Sequence, residues 1–453
     1  MAPKHQAPRG TRDLLPGEIE RWQWAEDRAR GVLERYGYRE IRTPLFEDYE
    51  LFARTSGESS DVVQKEMYRF KDLGGRDLAL RPEGTASVCR AYLEHGLGGR
   101  GRIHRLWYLG PMFRYGRPQK GRFRQFWQIG AEILGTGAPG ADVEMIALFV
   151  DLFAAWGFGE LAVLVNSVGT PDSRRAYGDA LREWFGPVRP WLSPDSQRRL
   201  ETNPLRVLDS KDARDMLIWS VGPGAWLADE EEDAFKLAVT RTYSKPKPHL
   251  LDFLDSNSSA HWDAVLAGLS ALGIATEIDH GLVRGLDYYT RTAFEVHDRS
   301  LGAQSALGGG GRYDGLVETL GGPPTPGVGF SIGLDRVLLA LEQRGTPLPA
   351  GPAAVFVAAM EGTRAEAAAL VRRLRRVLAA DWDMEERGFG AQMKAAGKSG
   401  ARLLLIVGEE EWERGDVVLK DVGDGSQRPV PVATLEDVLL EALGTRPTET
   451  RAR

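Results

Sequence analysis

Arg105-Leu-Trp-Tyr-Leu-Gly-Pro-Met-Phe-Arg-Tyr115 and Phe123-Arg-Gln-Phe-Trp-Gln-Ile-Gly-Ala-Glu-Ile-Leu134 read as two strands joined by a loop rich in glycine, proline and cations. Both runs are dominated by aliphatic and aromatic residues, and the punctuation between them is that of a hairpin with a long tip. The strand period of two places Phe126, Gln128, Gly130 and Glu132 on one face and Trp127, Ile129, Ala131 and Ile133 on the other. The apolar face belongs to a core. The opposite face offers an aromatic plane, an amide, a gap in the side-chain layer and a carboxylate, in series, as a polar pocket would. Arg114, Arg117, Lys120, Arg122 and Arg124 crowd the tip, a local positive field suited to an anion. For the cations alone the plain alternative is a solvated basic turn; the polar strand face beside them favours the pocket.

Upstream, Ile19, Trp22, Ala25, Ala29, Val32, Leu33 and Tyr36 recur at helical spacing, so a helix starts near Gly17 and stops at Gly37. Tyr38 to Phe46 reads as a strand that Pro44 confines to an edge or an interface. Leu78-Ala-Leu80 is strand-like and runs through Arg81-Pro-Glu-Gly-Thr85 into a helix from Ala86 to Glu94, with Thr85 as its cap. Glu83, Gly84 and Thr85 therefore occupy a strand-to-helix turn, where polar atoms can face a ligand.

Downstream, residues 170–255 turn helical and more charged, with the acidic run Asp229–Asp233 as a solvated face, and read as an inserted module. Strand patterns return over 281–333, followed by a helix through Leu334, Val337, Leu338 and Leu341. Arg344 to Pro352 is a linker by composition. Beyond it Ala354–Ala358, 364–379 and Arg402–Gly408 alternate as strand, helix and strand, a small α/β domain. The expected division is a core in two parts, 1–169 and 256–343, an insertion at 170–255, a linker at 344–352 and a terminal domain at 353–453.

The 453 residues suggest about three domains. A formal net charge of −6 argues against a generally basic nucleic-acid coat, so contacts with nucleic acid must be local. The single cysteine, Cys89, allows no internal disulfide; on a helix beside Val88 and Tyr92 it reads as a small buried hydrophobe. The seven histidines show no paired metal spacing, so no metal ligands are assigned. Met1 to Gly10 lacks the apolar core of a signal peptide and no stretch is apolar enough to span a membrane, hence the expectation of a cytoplasmic protein.

Two further runs carry function: Leu282-Val-Arg-Gly-Leu-Asp-Tyr-Tyr-Thr290 and Leu307-Gly-Gly-Gly-Gly-Arg-Tyr-Asp-Gly315. They put a cation, paired phenols, a carboxylate and bare backbone together. Arg284 alone reads as a surface arginine, but Gly285, Tyr288 and Tyr289 beside it indicate close approach of a ligand. Gly308 to Gly311 alone is weak evidence and reads equally as a flexible turn.

With Pro8-Arg-Gly-Thr-Arg-Asp-Leu-Leu-Pro16, Gly37-Tyr-Arg-Glu-Ile-Arg-Thr-Pro44, Phe113-Arg114 through Gly130-Ala-Glu132, and Gly327-Val-Gly-Phe-Ser-Ile-Gly-Leu-Asp-Arg336, these runs resemble the histidyl-tRNA synthetases along nearly the whole chain, the last three segments matching motifs 1, 2 and 3 of class II aminoacyl-tRNA synthetases. The resemblance implies an α+β catalytic core on an antiparallel sheet, a helical insertion, a C-terminal α/β anticodon-binding domain, and a homodimer with the first motif at its interface. It implies histidine, ATP and tRNA as substrates, with Mg²⁺ at the departing pyrophosphate. Glu83, Thr85 and Gln128 would hold the amino group of histidine, with Gly84 and Arg284 also at the histidine site; Glu132 and Tyr289 would meet the imidazole nitrogens, with Tyr288 and Tyr313 lining that pocket. Arg114 would contact the α-phosphate, Phe126 would stack on adenine, Arg122 and Arg336 would serve ATP, and Arg284 would stabilise the phosphoryl transition state. Gln128 would orient, and no general base is assigned for the transfer step.

Two readings compete. One is the non-catalytic regulatory partner of ATP phosphoribosyltransferase, which binds histidine without activating it; the presence of Glu83, Arg114, Arg284, Arg336 and the extra domain counts against it. The other is a class II synthetase for proline, glycine or threonine, which the paired tyrosines and Glu132 disfavour. The stretch from about Asp215 to Lys247 is longer than usual for the family, and the C-terminal domain matches chiefly at Gly390-Ala-Gln-Met-Lys394 and Ile406-Val-Gly-Glu-Glu-Glu411.

Overall fold

The long hairpin forms as read, with His104–Phe113 antiparallel to Gln125–Leu134 and Glu132 opposite Leu106. The computed structural model describes residues 5–57, 60, 62–117, 121–208, 210, 212–220, 233–282, 288–300, 306–348, 355–385 and 387–444. The chain divides into two units, residues 1–13 with 25–347 and residues 14–24 with 348–453.

In chain order the strands of the larger unit are β1 (Arg39–Glu40), β2 (Phe46–Asp48), β3 (Arg69–Lys71), β4 (Asp77–Leu80), β5 (His104–Phe113), β6 (Gln125–Leu134), β7 (Ala162–Ser167), β8 (Glu277–Ile278), β9 (Thr290–His297), β10 (Ala306–Arg312) and β11 (Gly327–Gly333). Eight of them form one sheet in the order β1-β5-β6-β11-β10-β9-β7-β8, and β2-β4-β3 form a second. The sheet's interior is antiparallel as expected, but its two edge pairs, β1 with β5 and β7 with β8, are parallel, so the sheet is mixed. The expected single strand from Tyr38 to Phe46 breaks at Thr43-Pro44 into β1 and β2, which join different sheets; Pro44 has no N–H to continue a ladder.

Helices α1 (Ile19–Arg35), α2 (Tyr49–Ser56), α3 (Thr85–Glu94) and α4 (Pro139–Ala155) precede the insertion. α4 packs Phe149 against Phe294 of β9 and Phe330 of β11, at ring separations of 5.4 and 4.7 Å, which seals the sheet's apolar face. Cys89 is fully buried in α3, and burial pushes its thiol pKa up, as a small hydrophobe requires. The insertion holds α5 (Pro171–Phe185), α6 (Pro194–Thr202), α7 (Ala213–Ser220) and α8 (Asp233–Tyr243), packed on their own core around Leu181, Trp184, Phe185 and Val239. Ser193, Ser196 and Ser210 each donate to Asp215 Oδ2 at 2.6 Å, stitching its loops. Of the acidic run only Asp233 lies within the described residues. α9 (Ser256–Ala271), α10 (Leu316–Thr319) and α11 (Leu334–Gln343) are this unit's remaining α-helices among the described residues.

The smaller unit carries β12 (Val355–Ala359), β13 (Ala380–Trp382), β14 (Leu403–Val407), β15 (Asp416–Asp421) and β16 (Gln427–Pro431), in the order β13-β12-β14-β15-β16. Its helices are α12 (Arg364–Leu374), α13 (Phe389–Ser399), α14 (Glu409–Glu413) and α15 (Leu435–Leu443). Val355, Val357, Leu370, Leu374, Leu403 and Leu405 form its core. The helix expected over 364–379 ends at Leu374, where the chain turns so that Arg375 Nε donates to Ala380 O at 2.9 Å. Among the described residues no helix is long and apolar enough to cross a membrane.

Candidate active site

Gly308 to Gly311 form neither a turn nor a flexible loop; they are β10, paired on both sides in the middle of the eight-stranded sheet. A strand of bare backbone leaves room above the sheet. A cavity of about 360 Å³ lies there, lined by Glu83, Thr85, Arg114, Arg122, Phe126, Gln128, Tyr288, Tyr289, Tyr313 and Arg336 among others. Nearly every residue singled out from the sequence thus converges on one pocket. Gly84 and Glu132 are not on its wall, and Arg284 lies outside the described residues.

Glu83 is buried, and its carboxylate accepts from Thr85 N at 2.6 Å and Ala86 N at 3.0 Å. It therefore performs the capping role expected of Thr85, which is instead the first residue of α3. Burial raises the Glu83 pKa against the pull of those N–H groups and of Arg114. Gln128 faces the same space, and among the described residues its buried Oε1 has no hydrogen-bond partner. Two buried acceptors lining one pocket favour a cationic donor such as an ammonium group.

Behind this wall Thr85 Oγ1 donates to Glu132 Oε1 at 2.7 Å, and the Tyr313 hydroxyl donates to Glu132 Oε2. Glu132 is completely buried, and burial pushes its carboxyl up to about 8 in spite of these two donors. The space for it comes from its cross-strand partner Gly329, where a Cβ would lie 1.7 Å from Oε2. The gap expected at Gly130 is not open to a ligand. Tyr108, its partner on β5, fills it, and a Cβ at Gly130 or Gly84 would stand 2.2 or 2.3 Å from that ring.

Tyr288 lies 4.8 Å from Tyr289 and 5.9 Å from Tyr313, ring centre to ring centre, an aromatic wall beside the buried carboxylate. At the other end Arg114 Nε donates to Pro82 O at 2.8 Å while its guanidinium sits 5.7 Å from the Phe126 ring centre. Arg122 is tied to Glu66 at 2.9 Å, and Arg336 donates to Ala306 O at 2.8 Å. All three cations line the pocket; burial first, and then the charge of Arg122, lowers the pKa of Arg114 and of Arg336, and an anion there would relieve that repulsion.

Sequence reasoning gave no role to Asp335 and Arg12. Asp335 Oδ2 accepts from Trp127 N at 3.0 Å and Oδ1 from Arg12 Nη2 at 3.2 Å, which fixes the start of α11, and so Arg336, to β6. The signal was their membership of the quoted Pro8–Pro16 run and of the third motif, without a visible partner.

A sheet of antiparallel interior that carries one pocket lined both by buried acceptors and by three arginines has the layout of the catalytic core of a class II aminoacyl-tRNA synthetase. The family model for histidyl-tRNA synthetase matches residues 10–172 and 226–337, and that for an anticodon binding domain matches 353–442. Histidine–tRNA ligases of Thermosynechococcus vestitus and Geobacillus kaustophilus are 48% identical over 429 residues and 45% identical over 445. The first match covers 94% of both chains, and the second 97% of this chain and 99% of the relative. The crystal structure of apo S. aureus histidyl-tRNA synthetase is similar at TM-score 0.75 and 35% identity, covering 96% of this chain and 99% of that one. The chain belongs to the histidyl-tRNA synthetase family.

Proposed function

We infer that the chain attaches histidine to tRNA in two steps: histidine and ATP form histidyl-adenylate with release of pyrophosphate, and a ribose hydroxyl of the 3′-terminal adenosine of tRNA then takes the histidyl group. The observation that carries this reading is one pocket lined both by the acceptors Glu83 and Gln128 and by the cations Arg114, Arg122 and Arg336.

Glu83, Gln128 and the Thr85 hydroxyl oxygen take the ammonium group of histidine. Its ring enters between Tyr288, Tyr289 and Tyr313, and the pair of polar contacts at its nitrogens comes from Tyr289 and from Glu132. Because Glu132 stands behind Thr85 and Tyr313, it meets the ring only as those hydroxyls yield, or acts through them. A site that leaves buried polar groups unpaired when the ring nitrogens are missing rejects similar-sized amino acids. Arg114 neutralises the α-phosphate, Phe126 stacks on adenine, and Arg122 and Arg336 hold the distal phosphates. The histidine carboxylate attacks the α-phosphorus in line, so positioning and charge neutralisation supply most of the acceleration. Arg284, between the acceptors and Tyr288 in sequence, stabilises the pentavalent phosphorus.

Mg²⁺ would neutralise the departing pyrophosphate. The carboxylates on the pocket wall are engaged, Glu83 by two backbone N–H groups, Asp335 by Trp127 and Arg12, and Glu295 by His297 at 2.8 Å, so phosphate oxygens and water would supply most of the ion's ligands.

The 353–442 match supports anticodon binding by the C-terminal domain. Homodimer formation is supported by Leu45, Phe46 and Phe70, 44, 51 and 41% exposed around the first motif, which is more apolar surface than one small sheet ordinarily shows to water. The cell compartment in this reading is the cytoplasm, where tRNA is charged. Charging of tRNA with radiolabelled histidine by the purified protein tests the whole reaction; an uncharged tRNA pool that another synthetase can charge with histidine would refute it.

A further inference from the structure

Arg81 opens the turn that carries Glu83 and Thr85, and it is only 4% exposed. Its guanidinium donates from Nε to Pro111 O at 3.0 Å, and from Nη1 to Thr43 O at 3.1 Å, Thr43 Oγ1 at 3.0 Å and Pro44 O at 3.4 Å. The backbone repeats the same ties: Arg81 N donates to Leu45 O and Arg81 O accepts from Phe113 N, both at 3.0 Å. One residue thereby fastens the Thr43–Leu45 segment, the Arg81–Thr85 turn and the end of β5. From the other side Arg114 Nε holds Pro82 O, so the turn is gripped by two arginines.

The chain makes room for this side chain. A Cβ on Gly110 would lie 2.4 Å from Arg81 Nη2. Among the described residues no carboxylate forms an ion pair with Arg81; its hydrogen bonds go to carbonyl and hydroxyl oxygens, and burial lowers its pKa against the weaker pull of Tyr108 and Glu47. Desolvating a guanidinium this way brings little net stability, and an apolar residue of similar volume would fill the space at lower cost. What an apolar residue could not do is fix three separate backbones in register through a planar fork.

We propose that Arg81 is a positioning residue for amino-group recognition, which locks the turn to Thr43-Pro44 and Pro111 so that the Glu83 carboxylate stands at the pocket wall. The proposal rests on the reading of Glu83 as the acceptor for the histidine amino group. It requires that damage to Arg81 be felt by ligands with an amine and not by the same ligand without one.

The test is calorimetric binding of histidinol, of imidazolylpropanol (histidinol without its amine) and of ATP to the full chain and to Arg81→Gln, Arg81→Lys and Gly110→Ala. The expected result is a roughly tenfold or greater loss of histidinol affinity in Arg81→Gln, with imidazolylpropanol and ATP within about twofold of the parent. Gly110→Ala keeps every donor but displaces the guanidinium and should reproduce the pattern if Arg81→Gln does not fold. Arg81→Lys, charged but without the fork, should fall between. Equal losses for both imidazole ligands, or unchanged histidinol binding, would overturn the proposal. Glu83→Gln separates the two levels: if it leaves histidinol binding intact, the amino-group reading itself fails, and the role of Arg81 with it.

Discussion

The Tyr313 hydroxyl donates to Glu132 Oε2 from a position 181 residues further along the chain. Tyr313 follows β10, with its four glycines, and Glu132 sits on β6, with β11 between them, so the bond crosses two ladders of the sheet beneath the pocket. It and the Thr85 bond hold a buried carboxyl against the desolvation that would otherwise keep it protonated still more firmly.

That balance sets a pH dependence. Glu132 titrates near 8 in the folded protein and near its ordinary 4.5 when unfolded, so between these values the folded state holds a proton that the unfolded state has lost. Stability is therefore greatest below about pH 4.5 as far as this group is concerned, declines as pH rises, and stops declining above about 8. Glu132→Gln, neutral throughout, should flatten this slope and make the ligand-free protein more stable by about 1–3 kcal/mol at pH 8.5, measured by denaturant unfolding across pH. The same variant should weaken histidine selection more than ATP binding; equal losses would sink the pocket assignment.

Tyr313→Phe keeps the ring and removes one donor. Glu132 should then titrate higher, so its part of the stability slope extends to higher pH. Histidine affinity should fall about tenfold with ATP affinity unchanged, read by calorimetry. A parental histidine affinity would show that Tyr313 does not support the ring site.

Asp142 is a structural counterpart. Burial alone would raise its carboxyl, but His261, 3.3 Å away, and Arg312 outweigh burial and hold it below the usual carboxylate range. Asp142→Ala leaves Arg312, itself fully buried, without its main partner and should cost about 3–5 kcal/mol in denaturant unfolding. Arg312→Met in the same chain should recover part of that loss, since an uncompensated charge is the larger penalty; a double variant weaker than the single would contradict this.

Arg284→Ala should cripple adenylate formation, by about a hundredfold or more in single turnover, while histidine affinity stays close to the parent. Adenylate formation at the parental rate would show that Arg284 does not act on the phosphoryl transition state.

Much of this was legible in the sequence because the signals were local. The hairpin, the first helix and α11 follow from period and punctuation, and one face of β6 carries Phe126 and Gln128 into the pocket as alternation requires. What could not be read were relations across strands. Gly130 looked like room for a ligand, whereas the register gives that room to Tyr108. Glu132 looked like a wall residue, whereas Gly329 opposite admits it one layer deeper. The edge pairs β1 with β5 and β7 with β8 run parallel through contacts that no turn chemistry announces. The capping of α3 passed from Thr85 to Glu83 because the helix begins at Thr85 itself, and the glutamate two residues upstream reaches the first two N–H groups, those of Thr85 and Ala86.

The most direct measurement is exchange of radiolabelled pyrophosphate into ATP, with each standard amino acid in turn on the purified protein with Mg²⁺. Histidine-selective amino-acid activation predicts exchange with histidine and none above background with the others. Exchange driven by a different amino acid, or no exchange from a folded protein that binds histidine, would contradict it.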